Sequence, residues 1–226
     1  MKYKNMVQGS FLSRPNRFIA KVNIDGVVHT VHVKNTGRCR ELLKEGATVF
    51  LEKSDNPGRK TQFDLISVYK GNTLVNIDSQ SPNKVIREWL ENGGLLKDPT
   101  LIKSEAVYGS SRLDFYLENE TEKAYVEVKG VTLETQGIAR FPDAPTERGR
   151  KHLSELIRAR KNGYTAAVVF VIQMKGCRRF EPNTETDLPF ANELKRAKDN
   201  GVKIIAVDCI VTPDSITTDK EIRVNI

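Results

Sequence analysis

The segment Phe18-Ile-Ala-Lys-Val-Asn-Ile24, Asp25-Gly26, Val27-Val-His-Thr-Val-His-Val33 constrains the fold more than any other stretch of the chain. Two runs of alternating side chains flank a two-residue Asp-Gly turn, and Asp-Gly accepts the positive φ angles that a tight hairpin demands. Pairing Ile24 with Val27 sets the register. It places Phe18, Ala20, Val22 and Ile24 on one face with Val27, His29, Val31 and Val33, so His29 is expected to pack and His32 to lie on the other face. Phe18, Phe50 and Phe63 are expected in the core. Further strands are predicted at 48–53, 63–69 and 73–77, with a short helix at 40–44. About five short strands with one small helix fit an OB-like β-barrel.

From Ser81 the periodicity changes. Ser81-Pro82 opens a helix carrying Val85, Ile86, Trp89 and Leu90, closed by Gly93-Gly94. Strands are predicted at 101–108, 111–117 and 124–133. A second helix over 146–161 sets Leu153, Leu156 and Ile157 on one face and ends at Asn162-Gly163. A buried strand at 166–172, a helix at 192–198 and a strand at 202–207 complete an α/β order, and residues beyond Pro213 suit a small hairpin. The expected architecture is a two-domain chain combining α+β and α/β character: an OB-like β-barrel over residues 1–80 and a helix-flanked sheet over residues 81–226. The Gly93-Gly94 turn is too short for a flexible linker, so the halves are expected to pack together.

Composition narrows the partners. The 226 residues include 36 Lys and Arg against 29 Asp and Glu, a formal net charge of +7, and 38% hydrophobic residues. Such a chain folds, and its excess base suits a polyanion. No apolar run approaches the roughly 18 residues of a membrane span, and the start MKYKNMVQGSF lacks a signal-peptide core, so a cytoplasmic protein with no membrane partner is expected. Cys39, Cys177 and Cys209 show no CxxC or Cys-His spacing, so no structural zinc is expected. Histidine occurs only at 29, 32 and 152, which leaves carboxylates and lysines as the expected catalytic groups.

The sharpest constellation is Ser111-Arg-Leu-Asp-Phe-Tyr-Leu117 followed by Tyr125-Val-Glu-Val-Lys-Gly130. Glu127 and Lys129 are two apart on a strand and share a face. A four-residue loop at 119–122 pairs Glu118 with Lys123 and sets Asp114 opposite Glu127; a five-residue loop reverses that parity unless a bulge corrects it. Two facing carboxylates are hard oxygen ligands suited to Mg2+ or Mn2+, with Lys129 placed to orient water or offset charge. The same spacing also suits a solvated cross-strand charge pair.

The wider order, helix, three strands, helix, strand, with Asp on the second strand and ExK on the third, resembles the PD-(D/E)xK nuclease core. With Asn35-Thr-Gly37, Ser54-Asp-Asn-Pro57, Ser111-Arg-Leu-Asp114, Val126-Glu-Val-Lys129 and Phe141-Pro-Asp-Ala-Pro-Thr-Glu-Arg-Gly-Arg-Lys-His152, the whole chain resembles the sugar fermentation stimulation protein family. The resemblance implies an OB-like domain, a restriction-endonuclease-like αβββαβ core with a mixed sheet, DNA binding, and divalent-metal-dependent cleavage of DNA or RNA. It implies Asp114 and Glu127 as metal-binding acids and Lys129 as the motif lysine, with Leu113 standing where the superfamily has Pro. Glu88 matches a position where relatives place a further metal acid, although it also suits a solvated helix face; Glu105 has similar standing.

The second helix concentrates Arg148, Arg150, Lys151 and His152, followed by Arg158, Arg160 and Lys161, a stripe suited to tracking phosphates beside the expected site and partly balanced by Glu155. Asp143 and Glu147 suit either the metal shell or the start of that helix. Arg112, beside Asp114, and Arg38, Arg40, Arg59 and Lys60, in loops of the barrel, are the remaining nucleic-acid candidates. The competing expectation is a non-catalytic, largely sequence-nonspecific DNA-binding regulator linked to sugar metabolism, which keeps the fold and binds without turnover. Paired carboxylates also leave glycosidase chemistry as a weaker third reading.

Overall fold

The computed structural model describes residues 1–35 and 37–226, so Thr36 of Asn35-Thr-Gly37 lies outside the described residues. The first sheet contains β1 (Met6–Asn16), β2 (Ile19–Ile24), β3 (Val27–Val33), β4 (Thr48–Lys53), β5 (Phe63–Lys70) and β6 (Thr73–Asn76). Its order is β3-β2-β1-β4-β5-β6, and β3 also pairs with β5, which closes five strands into an OB-like barrel. The hairpin has the expected register, with Ile24 opposite Val27 and Val22 opposite His29, and both turn residues take positive φ, 50° at Asp25 and 86° at Gly26. His29 packs edge-on against Phe63 at 5.2 Å.

Three expectations for this half are corrected. No strand is expected at 6–16, yet β1 lies between β2 and β4; register shifts around Ser13 break its period-2 pattern. Residues 40–44 form a single turn instead of a helix, with the N–H groups of Leu42 and Leu43 both donating to the Cys39 carbonyl as all three residues bury. Phe50 and Phe63 are buried, but Phe18 is 51% exposed, standing just before β2, whose side-by-side pairing with β3 ends at Ile19 opposite His32.

The remainder comprises α1 (Ser81–Glu91), β7 (Leu101–Tyr108), β8 (Ser111–Glu118), β9 (Lys123–Val131), β10 (Leu133–Thr135), β11 (Ile138–Phe141), α2 (Glu147–Lys161), β12 (Thr165–Ile172), β13 (Arg179–Pro182), α3 (Leu188–Asp199), β14 (Lys203–Thr212), β15 (Ser215–Glu221) and β16 (Arg223–Val224). The main sheet runs β15-β14-β12-β9-β8-β7. It is mixed: β7, β8 and β9 are antiparallel, β12 is parallel to β9 and β14, and β15 returns antiparallel as the hairpin expected after Pro213. Helix α1 buries Val85, Ile86 and Leu90 with Val126, Val128 and Val169. Helix α2 buries Leu153, Leu156 and Ile157 with Val168 and Phe170, in a core that continues into barrel residues Val22, Val31, Leu51 and Leu65. The apolar run of β12 is thus covered on both faces.

A second small sheet, β10-β11-β13-β16, was not expected. Helix α3 begins at Leu188, four residues before the expected start: Asp187 accepts the Phe190 N–H at 2.9 Å as an N-cap, and Pro189 is tolerated in the first turn.

Candidate active site

The loop between β8 and β9 has four residues. Asn119 builds it by accepting the N–H groups of Thr121 and Glu122 at 3.0 and 2.8 Å, and Glu118 pairs with Lys123. Pairing continues to Phe115 opposite Val126, and one step further along this register Asp114 faces Glu127. There the side chain takes over from the ladder. The Val128 N–H donates to Asp114 Oδ2 at 2.7 Å, and Asn83 Nδ2, from the first turn of α1, donates to Asp114 Oδ1 at 2.8 Å. The acid is thereby anchored to a strand and a helix at once.

Glu127 is 3% exposed. Its Oε1 accepts from Lys129 Nζ and from His152 Nδ1, each at 2.5 Å, while its buried Oε2 has no hydrogen-bond partner. Because an ionised carboxylate only accepts, the His152 proton sits on Nδ1, leaving Nε2 to accept from Arg148 Nε at 3.4 Å. The two acids are driven apart electrostatically. Burial and the charge of Glu127 push the Asp114 carboxyl up to about 6, against the hydrogen bonds from Val128 and Asn83. Burial also works to raise Glu127, but hydrogen bonds from His152 and Lys129, and the charge of Lys129, carry it below its ordinary value. Glu127 is held ionised well into acid, whereas Asp114 takes up its proton closer to neutrality.

The structure brings together Asp114, Glu127 and Lys129, and adds two residues. Asn83 carries no signal in sequence that sets it apart from other helical Asn residues. His152 was expected on the phosphate-tracking surface; instead it is buried against Glu127. Its signal was legible: four residues before Leu156, it shares the apolar face of α2. Among the described residues no three His, Cys, Asp or Glu side chains form a ready ligand set for a metal, so the site offers two carboxylates. Glu88 is not brought to the cluster. It is half-exposed and bonds the Met1 amine at 2.8 Å, about 140° around α1 from Asn83. Glu105, with φ of 56°, lies beyond Asp114 on β7 and pairs with exposed Arg112 at 3.4 Å.

The other basic candidates divide. Arg148 and Lys151 are exposed at the start of α2, with Lys151 Nζ donating to the Ser110 carbonyl at 3.0 Å. Arg150 bonds Asp187 at 3.2 Å and ties α2 to the α3 cap. Arg59 holds both oxygens of Asp64, at 2.6 and 3.0 Å, and so is committed to the barrel, whereas Lys60 is exposed. Arg38 and Arg40 are exposed and line a cleft of about 690 Å³. Thr146 caps α2 by accepting the Gly149 N–H at 3.0 Å, with Glu147 exposed in the first turn and Asp143 in the wall of the cleft. Glu155 is buried, accepting from the Ser110 N–H and hydroxyl, and does not dress the helix surface.

Residues 80–215 match the family described as "Sugar fermentation stimulation protein RE domain", and residues 12–77 match "SfsA N-terminal OB domain". The chain belongs to the sugar fermentation stimulation protein family. Relatives in this family include the sugar fermentation stimulation protein homologs of Clostridium beijerinckii, 61% identical over 216 residues and 96% of each chain, and of Ruminiclostridium cellulolyticum, 53% identical over the full length of both. Among solved structures, SfsA of Pyrococcus furiosus in complex with Ca2+ superposes with a TM-score of 0.89 at 29% identity, over 100% of this chain and 98% of that one. Family membership carries the OB and RE domain pairing to this chain. Among the described residues no helix is long and apolar enough to cross a membrane.

Proposed function

We propose that this SfsA-family chain is a divalent-metal-dependent nuclease that binds and hydrolyses DNA or RNA. The observation that carries the reading is the pair of facing acids, Asp114 and Glu127, with a buried, unpartnered Glu127 oxygen beside Lys129. These residues fit Mg2+ or Mn2+. The donors are hard oxygens, the orphaned Oε2 lacks a positive partner, and the burial and like charge that raise the Asp114 carboxyl are what a cation between the two acids would relieve. Asp114 and Glu127 are the residues that would hold the ion. The Pyrococcus furiosus relative was solved with Ca2+, an oxygen-seeking cation of the same class.

When bound, such an ion supplies Lewis-acid polarisation of the scissile phosphodiester and neutralises charge developing on it. Hydrolysis adds water across a P–O bond: the water oxygen joins phosphorus and the departing sugar oxygen takes a proton. Lys129 presents an ammonium on the strand that carries Glu127, suited to orient the attacking water and to offset transition-state charge. Asn83 and the Val128 N–H orient Asp114, and His152 fixes Glu127 by one oxygen so that the other stays available. Arg148 and Lys151 on the exposed side of α2 supply phosphate contacts.

The names of the relatives speak of sugar fermentation, which favours a second reading: a DNA-binding regulator without turnover. Labelled DNA and RNA, single- and double-stranded, incubated with the protein and Mn2+ or Mg2+, separate the two. The nuclease reading expects product that disappears in Asp114→Ala and Glu127→Ala and falls about 100-fold in Lys129→Ala. Full activity of Glu127→Ala ends that reading, and salt-sensitive binding with no product after long incubation supports the regulator.

A further inference from the structure

At the open end of the barrel, the end of β1, the connection from β3 to β4 and the segment before α2 enclose the cleft of about 690 Å³. Arg14, in its wall, spends its guanidinium on the carbonyls of Arg17, Asn35, Gly37 and Arg38, at 2.6 to 2.8 Å. That one side chain holds two loops together and shapes the cleft. Arg17, Arg38 and Arg40 line it too, and among the described residues none of the three has a carboxylate partner. Asp143 is the one acid in the lining, against three guanidinium groups without a carboxylate partner. Unpaired arginines around a concave surface attract a polyanion.

Phe18 says what kind of polyanion. It directly follows Arg17, whose guanidinium lies 5.9 Å from the ring centroid, and it is 51% exposed while Phe50 and Phe63 are buried. An exposed aromatic face beside free arginines suits a nucleobase, and a base offers its face only when unstacked from a duplex. A second, smaller cleft of about 180 Å³ shares Gly37 and Asp143 with the first and is lined by Gly130 and Val131, the residues that follow Lys129 on β9. The two clefts meet at Gly37 and Asp143 and reach from Arg17, the chain neighbour of Phe18, to the residues that follow Lys129 on the ExK strand.

Resting on the nucleic-acid reading above, we propose that this path seats a single strand of DNA or RNA, with a base stacked on Phe18 and phosphates on Arg17, Arg38 and Arg40, and leads it to Lys129. The preferred substrate is then a single strand, or a single-stranded tail on a duplex, and not an intact duplex. Binding is measured by fluorescence anisotropy with the full chain in EDTA, so that nothing is cut, using labelled oligo-dT, oligo-U and a blunt duplex of about 15 nucleotides. The inference expects at least one single strand to bind tighter than the duplex. It expects Phe18→Ala to weaken that single strand about five-fold or more, and Arg38→Ala with Arg40→Ala to reduce the slope of log affinity against log salt by about 1.4. Both sets of residues are exposed, and unchanged melting temperatures confirm that the variants fold. Equal or tighter duplex binding, or single-strand binding that ignores both Phe18→Ala and the arginine pair, overturns the inference. Cleavage assays with metal keep the two readings apart: cutting of duplex and single strand alike with no preference in EDTA sinks this inference and spares the nuclease. Phe18-dependent single-strand binding with no cutting sinks the nuclease and spares the cleft.

Discussion

Glu127 shares Oε1 between Lys129 and His152 and leaves Oε2 buried without a donor. A buried acceptor left unpaired costs about 1–3 kcal/mol, so the arrangement holds free energy that a cation at Oε2 recovers. His152 acts in this arrangement by positioning Glu127. His152→Ala is therefore expected to weaken Mn2+ binding, measured by titration calorimetry, about 10- to 100-fold while leaving nucleic-acid affinity in EDTA unchanged, and His152→Asn, which retains an N–H donor, to recover part of the loss. A residue that merely contacted phosphate shows the opposite pattern: metal binding intact, and a shallower salt dependence. The barrel contains a second tuned acid. Burial opposes the charged form of Asp64, but hydrogen bonds from Arg59, Lys34 and His32 lower its carboxyl from 3.8 to about 2. Its folded value is depressed, so the stabilisation is fully present above pH 3.8 and is lost as pH falls toward 2, a contribution of about 2 kcal/mol. Urea titrations of Asp64→Asn are expected to show a deficit of about that size at neutral pH that closes in strong acid; a deficit independent of pH removes the ionic explanation.

At the scale of elements, β1 is the strand that the barrel most needs and the one its sequence least displays. Strands β2 and β3 alternate about Asp25-Gly26, so their existence, register and inner face are legible in the sequence. Strand β1 bulges, and period-2 reading fails wherever two residues oppose one. It also contains Gly9, where a Cβ stands 2.5 Å from Val22 Cγ1 and 2.9 Å from the Asn23 carbonyl oxygen. The first contact can yield by side-chain motion; the second is backbone of the paired strand. Gly9→Ala is expected to destabilise the protein by about 1–3 kcal/mol, seen as a lower urea midpoint at constant slope. The site shows the same division. Asp114, Glu127 and Lys129 were legible because strand spacing and one hairpin register govern them, whereas the contacts of Asn83, Glu88 and Phe18 depend on how α1 and the barrel end meet other parts of the chain. Four-residue strands such as β11 and β13 hold too few side chains to show a period, and their pairing is purely tertiary.

At the scale of the molecule, the single-strand path and the metal site act as one device only if barrel and sheet keep a fixed relation. Gln173, directly after β12, is a buried polar tie between them. Its buried Nε2 lies 3.1 Å from Asn76 O, Asn76 Oδ1, Asp78 O and Ser81 Oγ, so its two hydrogens serve acceptors on the end of β6 and the start of α1. Its backbone carbonyl accepts the Asn76 N–H at 2.9 Å and its backbone N–H donates to the Val131 carbonyl at 2.9 Å, two residues beyond Lys129. Barrel, helix and ExK strand thus converge on one residue, the first two through its side chain and the third through its backbone, over a hydrophobic core that also spans both halves. Gln173→Leu keeps the volume and strips the donors, leaving buried acceptors unpaired at a cost of about 1–3 kcal/mol each. Trp89, the one tryptophan, lies on α1 and reports the second half alone, whereas far-ultraviolet circular dichroism reports both. The two probes are expected to give coincident urea transitions in the wild-type protein and separated ones in Gln173→Leu. Coincidence in the variant assigns the coupling to the shared core and the ties that remain, among them Lys70 to Glu134. If the transitions separate, single-strand binding at the barrel should survive in Gln173→Leu while metal-dependent cleavage falls, because the strand is still held but no longer delivered to Lys129.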